Sequence, residues 1–498
     1  MAGASSSPIL TVATAGDAQL EKGDDEPEIS SCPADTVIVS WDGEVDPENP
    51  YNWSRTRKLF TTLLTSLGGF VTLMSGAMLA PALAIMSEDL RIPEAEASMV
   101  LSIYILAFAF GPMLLAPCSE VWGRRPIWIV GGAWYILWNT VCGASKTRGL
   151  IITGRLMAGL GASAEFAVSG PIVSDIWIAD ERGKSMAIRG FLPLLGPAIG
   201  PIVGGVMVQK ANWRWLFFVM SILDGIIVLL FVLFLPETHC QTLLARKATR
   251  LRKLTGESYL AEHEAGALTL VNRLQLAFLR PVRMLLMQPA IQLCSLVIGV
   301  QFGLLYIALS TFSSLWTDRY KQTSIASGLH YLAIVTGYII ASLAGGWATD
   351  CIWTRLSAKN GGKTRPEFRA PMLTPGVVLV PVGLLWYGWA AENVFHWIVP
   401  DIGIAIFGCG YIVGTSAAQA FVVEAYSDYT ASAGAASMLP RNVFAFAFPI
   451  FAPRLYASLG YGIGNTVLAA VAVVLGVPAP FILWKHGERL RRQGRVVG

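Results

Sequence analysis

Charge is what this sequence has least of. Only 14% of its 498 residues are Asp, Glu, Lys or Arg, where a soluble chain carries about 25%. That deficit excludes an ordinary water-soluble globule. The net charge of +4 is small for this length and gives no reason to expect a nucleic-acid partner. The seven cysteines, at 32, 118, 142, 240, 294, 351 and 409, contain no CxxC pair and have no histidine at metal-ligand spacing. They are expected to be small buried hydrophobes, so no disulfide framework, metal or cofactor is expected. HExxH, a glycine-rich phosphate loop after a strand, and a Ser/His pair within the apolar runs are all missing, so no enzymatic chemistry is expected. Residues 1–55 are polar and lack an apolar h-region. They are read as a disordered tail and not as a signal peptide.

What the chain has instead is apolar length. It is 54% hydrophobic, with a mean hydropathy of +0.55. A bilayer crossing needs about 20 apolar residues. Twelve such runs are found, near 59–87, 97–117, 126–145, 150–176, 186–208, 213–235, 290–315, 327–353, 370–391, 394–423, 430–457 and 461–484. The fold class is therefore an all-α integral membrane protein. Six-helix bundles are expected over 56–235 and 290–484, with a cytoplasmic linker of amphipathic helices over 236–289 and a basic tail over 485–498. With the N-terminus inside, about 26 of the 37 basic residues fall in cytoplasmic segments, about 7 outside and about 4 within spans. Both termini are accordingly expected to be cytoplasmic.

The most informative stretch is Gly196-Pro197-Ala198-Ile199-Gly200-Pro201-Ile202-Val203-Gly204-Gly205. Glycines at 196, 200 and 204 line one helix face and admit a close neighbour. Prolines at 193, 197 and 201 remove helix hydrogen bonds. Together they read as a deformable helix in a tight bundle. A second signal is an echo between halves. Glu120 precedes Arg125 by five positions after the second span, and Asp350 precedes Arg355 by five after the eighth. This points to the internal duplication found in many transporters.

On these residues the chain resembles the major facilitator superfamily, specifically the fungal twelve-span drug:proton antiporters. Glu120-Val121-Trp122-Gly123-Arg124-Arg125 is similar to that family's loop motif between spans two and three, although Ala116 and Glu120 stand where Gly and Asp are usual. Arg155-Leu156-Met157-Ala158-Gly159 resembles the fourth-span motif, whose arginine is associated with proton coupling, with Ala158 in place of the usual Gln. Gly196 to Gly205 resembles the fifth-span antiporter motif that separates exporters from symporters and uniporters. Asp46-Pro47-Glu48-Asn49-Pro50, Asn52-Trp53-Ser54, Leu235-Pro236-Glu237-Thr238, and Ala431-Ser432-Ala433 with Arg441 and Pro449 resemble the fungal branch. The resemblance covers nearly everything after residue 40. It implies a secondary transporter of small organic molecules, coupled to protons, acting as a monomer in the plasma membrane. A facilitator or importer of polyamines or sugars is the alternative, and a non-transporting sensor a second.

Residue roles follow. Glu120, Gly123, Arg124 and Arg125, with Asp350 and Arg355 as the weaker counterpart, are expected to gate through charge contacts made in one arrangement of the halves. Arg155, Glu165 and Asp224 are candidates for proton coupling, because an ionisable group inside a span is costly and needs a partner. Arg155 and Glu165 lie ten residues apart on one helix, about 15 Å along its axis, and cannot pair directly. Gln292, Gln301, Tyr306, Tyr411, Gln419 and Arg441 are candidate lining of a cavity between the halves. The antiporter motif (Gly196, Pro197, Gly200, Pro201, Gly204, Gly205) is expected to be the close-packed pivot. Replacing Gly200 with Val is expected to abolish export while leaving insertion intact; full activity in efflux assays would return the segment to mere packing.

Overall fold

Inside hydrocarbon every backbone N–H and C=O must be paired within the protein, so an isolated apolar run of this length folds as a helix. The computed structural model describes residues 37–43, 46–256, 259–261, 270–362, 364–426 and 429–493. Among these, eleven helical segments are long and apolar enough to cross a membrane. The first ten are Arg55–Leu90, Ala95–Trp122, Arg124–Ala144, Arg148–Ile176, Lys184–Lys210, Trp215–Phe234, Pro289–Arg319, Ser324–Lys359, Pro366–Glu392 and Ile398–Ala425. The last, Ser432–Arg492, has 61 residues and breaks at Gly460, where φ is 72° and ψ 177°. It is two spans, which makes twelve. Lipid-facing side chains such as Leu233, Leu343 and Val474 stay well exposed, as expected where the solvent is itself apolar.

The two halves repeat the same packing. Span one packs on five, two on four, three on four and on six; seven packs on eleven, nine on ten and on twelve, eight on ten. The halves meet along two seams, span two against eleven and span five against eight. At the second seam a Cβ on Gly328 would stand 2.8 Å from the Pro201 carbonyl oxygen. Gly205 lies against the carbonyl of Ser324. Backbone touches backbone there, and neither side has a flexible side chain to move aside.

Between the halves, helices form over Cys240–Thr255 and Leu270–Met287. The second bridges spans two and eleven. The tail expected to be disordered to residue 55 is folded over 37–43 and 46–55, a correction with a clear cause. Val37–Val39 pairs in parallel with Tyr259–Ala261, and Asp46 to Trp53 forms a hydrogen-bonded strap. In it the Asp46 carboxylate accepts the Asp42 and Glu48 N–H groups at 2.9 and 2.8 Å. Trp53 buries against Val173, Ile176 and Trp177 at the end of span four. Polar composition hid these contacts because the strap is held by local caps and one aromatic anchor. Residues 1–36 lie outside the described ones.

Gly328→Val is expected to prise the five–eight seam apart while leaving each bundle folded. Labelling of a Ser324→Cys reporter by a membrane-impermeant maleimide is expected to quicken in that variant; unchanged labelling and unchanged transport would show the seam to be slack.

Candidate functional site

Span five lies between the halves because three of its glycines face one neighbour and a fourth faces another. A Cβ on Gly196 would stand 2.9 Å from the Met74 nitrogen, and one on Gly200 would stand 2.8 Å from the Met74 oxygen. Gly204 meets the Met78 carbonyl. All three press on span one, and Gly205 turns to span eight. Pro201 offers its carbonyl to the Gly328 contact, and Pro193 packs against Gly69. Pro197 lies half-buried one position beyond Gly196.

The turn after span two is built around an acid that sequence reading did not assign to it. Gly123 has φ +100°, and a Cβ there would collide with the Glu237 carboxylate. That carboxylate accepts N–H groups from Arg124 (2.8 Å), Arg125 (3.4 Å), Thr238 (3.0 Å) and His239 (3.1 Å). It thereby caps span three, whose first-turn donors have no partner within the helix. The Arg124 side chain bonds Asp175 at 3.3 Å and the Ser119 hydroxyl at 2.6 Å, and the Arg125 side chain donates to the Val232 carbonyl at 2.7 Å. Spans two, three, four and six are thus clamped within one half.

Glu120 is not part of this clamp in the arrangement described. It is exposed and has no ion pair among the described residues; it lines a cavity of about 500 Å³ with Phe166, Arg280 and Met438. The counterpart assigned to Arg355 is corrected. Span eight continues as helix to Lys359, so Arg355 is carried out on it, exposed. The Asp350 side chain lies outside the described residues. The structural equivalent of Arg124–Asp175 is Arg369–Glu424, at 2.5 Å, between the start of span nine and the end of span ten. The five-residue echo set Arg355 against Arg125; the longer loop after span eight places the counterpart of Arg124 at Arg369, beyond the echo.

The candidate proton-coupling residues are among the most buried polar groups, with Arg155 at 0%, Glu165 at 2% and Asp224 at 2% exposure. Arg155 donates to the carbonyls of Val100 and Ser75, both at 3.3 Å, and its guanidinium lies 4.2 Å from the Tyr104 ring centroid. No carboxylate among the described residues bonds it. Glu165 accepts from the Thr72 hydroxyl in a short hydrogen bond, and its other oxygen has no partner. Asp224 also has an unpartnered oxygen and is within electrostatic reach of Glu165. Among the described residues, these three candidates are thus two acids bonded by no cation and one cation bonded by no acid. Thr72 and Tyr104 were not legible beforehand, since a threonine and a tyrosine in apolar runs carry no signal of their own.

Three of the six cavity candidates come together and three do not. Tyr306, Tyr411 and Arg441 surround Phe302: its ring centroid lies 5.1 Å from Tyr306 and 6.1 Å from Tyr411, and the Arg441 guanidinium stands 4.4 Å from it. Tyr306 is also within electrostatic reach of Arg155 across the boundary. Arg441 has no acid partner among the described residues; its polar bond is to Asn442, at 3.4 Å. Gln301, by contrast, packs against Gly414 inside its own bundle. Gln292 is exposed and closes the linker helix by donating to the Leu286 carbonyl at 2.8 Å. Gln419 is half-buried without a hydrogen bond among the described residues. Amides in a sequence show no face, and Gln301 and Gln292 face away from the boundary. The buried layer separates the 500 Å³ cavity from another of about 490 Å³, lined by Ala97, Ser98, Thr311 and Tyr456 at the opposite end of span two.

The family model described as Major Facilitator Superfamily matches residues 65–449. The chain is 38% identical over 471 residues to a protein of Penicillium aethiopicum named efflux pump vrtL, covering 94% of this chain and 93% of that one. It is 40% identical over 418 residues to a probable efflux pump, mfs2, of Aspergillus flavus, covering 83% and 98%. Among solved structures, a D-xylose-proton symporter superposes with a TM-score of 0.63 at 16% identity, over 86% of this chain and 97% of that one; this likeness is one of fold.

Glu237→Ala strips four N–H groups of their acceptor, and each buried donor left unpaired costs about 1–3 kcal/mol. A marked fall in the melting temperature of the detergent-purified protein is expected, with none for Glu120→Gln. Equal melting of the two variants would remove Glu237 from the clamp.

Proposed function

The chain belongs to the major facilitator superfamily, and we propose that it exports small organic molecules from the cytoplasm by alternating access, in exchange for protons. Export is supported by the efflux-pump names of its fungal relatives and by the span-five motif lodged between the halves. Rocking at the two seams would open the cavity at one end of the boundary and then the one at the other. The basic bias of the loops favours cytoplasmic termini, and the intact pseudo-symmetric pair of bundles is consistent with a working monomer. The plasma membrane is the proposed location.

The observation that carries the coupling is the pair Glu165 and Asp224, buried within reach of each other with no cation among the described residues bonding either. Two carboxylates cannot both stay charged in a medium of low dielectric without a counter-ion. The pair is therefore suited to hold a proton that leaves only when water or a cation reaches it. Thr72 on span one bonds Glu165, so movement of span one against four alters that contact. Arg155, held by two carbonyls and Tyr104, needs its planar fork, and Lys is not an equivalent there. Substrate would meet Phe302, Tyr306, Tyr411 and Arg441 at the facing surface, an aromatic wall with one cation.

In a host stripped of its own pumps, the chain is expected to lower retention of at least one compound in a panel of small aromatic toxins. In proteoliposomes, an imposed proton gradient is expected to drive that compound out of the cytoplasm-equivalent side. Glu165→Gln is expected to reach the membrane normally and to lose the response to the gradient. Unchanged gradient-driven flux in that variant would remove Glu165 as the proton carrier, and net uptake by the wild type would overturn export.

A further inference from the structure

Where spans one and six leave the membrane, the N-terminal strap and the first linker helix enclose a cavity of about 360 Å³. That volume is in the range of small-molecule sites. Span one begins at Arg55 and span six ends at Phe234, so the cavity, walled by Trp53 and Pro236, lies within about one helical turn of the span ends. This is the depth of lipid headgroups.

The charges around it divide into spent and unspent. Lys247 is spent: it bonds Asp42 at 2.8 Å, lies 3.6 Å from Asp46 and donates to the Ser40 carbonyl at 3.2 Å. Burial pulls the Asp46 carboxyl upward, but the N–H groups of Asp42 and Glu48 and the nearby Lys247 hold it below the usual carboxylate value. Glu237 is spent on four backbone N–H groups. Arg57, Arg246 and Arg250 remain, with no acid partner among the described residues. Arg57 is held in place over the Trp53 ring, 4.0 Å from its centroid. Arg246 and Arg250 stand one turn apart on the same face of the linker helix. Glu48, exposed, is the single acid among the described lining residues left to oppose them. One turn beyond Arg250 on that face stands Leu254, 73% exposed. Arginines at the level of the headgroups leave an exposed leucine one turn further along free to reach the apolar boundary beside them.

We propose that this cavity binds the phosphate-bearing headgroup of an anionic membrane lipid, clasped by Arg57, Arg246 and Arg250, with Leu254 in the adjoining acyl region. Guanidinium forks match phosphate oxygens in pairs. Basic side chains near an anionic leaflet strengthen attachment additively. A bound headgroup joins the strap, span one, span six and the linker helix, so it fixes how the linker leaves the first half. The site is remote from the proton and substrate groups and does not depend on the direction of transport.

The test uses the full-length protein in detergent, titrated with short-chain phosphatidylinositol bisphosphate and followed by thermophoresis. Saturable binding is expected. Arg246→Gln/Arg250→Gln is expected to weaken it about tenfold or more. Lys485→Gln/Arg489→Gln, which removes two exposed charges from the C-terminal helix, is expected to bind as the wild type does. Melting temperature without lipid checks that each variant is folded, and Arg250→Gln alone serves if the double variant is not. Equal loss in both double variants would reduce the effect to general charge and overturn the site. So would absence of saturable binding, or displacement by inorganic phosphate at the concentration of the lipid, which would make the occupant a free anion.

Discussion

A polar group with no partner in hydrocarbon costs several kcal/mol, and the rest of this structure is arranged around that cost. It makes each apolar run a helix. It also governs the turns, where helices begin with N–H groups that nothing inside them can accept. Two of those turns have the same solution. Gly123 and Gly460 both have positive φ, and each leaves the space where a Cβ would stand to a carboxylate, Glu237 in one half and Glu392 in the other. Glu392 accepts the N–H groups of Tyr461 and Gly462 at 2.7 and 3.1 Å, as Glu237 does those of Arg124 and Arg125. Glycine is needed for the backbone angle and for the room, and the acid supplies the acceptor.

The same constraint singles out the groups that break it. In a body whose turn donors find acceptors, Glu165, Asp224, Arg155 and Arg441 stand inside the membrane without a bonded opposite charge among the described residues. Groups kept in that condition suit a cycle in which their partners come and go. Span five is the mechanical complement. Its glycines press backbone on backbone against span one within its half and against span eight across the boundary. Packed surfaces of this kind shift between discrete arrangements and do not deform continuously.

The rim of the molecule shows duplication in its ion pairs as well as its helices. Arg124–Asp175 and Arg369–Glu424 hold equivalent helix ends in the two halves. The links from the last span of each half to the start of its third have opposite polarity. In the first half an acid after span six, Glu237, caps span three. In the second a base after span twelve, Arg491, bonds Glu367 at the start of span nine, at 2.6 Å. The repeated geometry has outlived the repeated residues.

The chain's apolar runs, its basic bias and its Gly–Pro segment determined by themselves that it is a twelve-span membrane protein with two related halves. Each of those properties is local, a matter of length, composition or spacing along one helix. The span-five glycines were legible for the same reason, since their four-residue period names a face without naming the neighbour. Only the tertiary structure decided partnership. It put Glu237, more than a hundred residues downstream, at the Gly123 turn and left Glu120 outside. It gave Arg124 a counterpart in Arg369, carried Arg355 out exposed on span eight, sent Gln301 and Gln292 away from the boundary, and brought Phe302, Tyr306, Tyr411 and Arg441 together there. Those outcomes depend on which helix faces meet and how long the loops are, and a one-dimensional pattern contains neither.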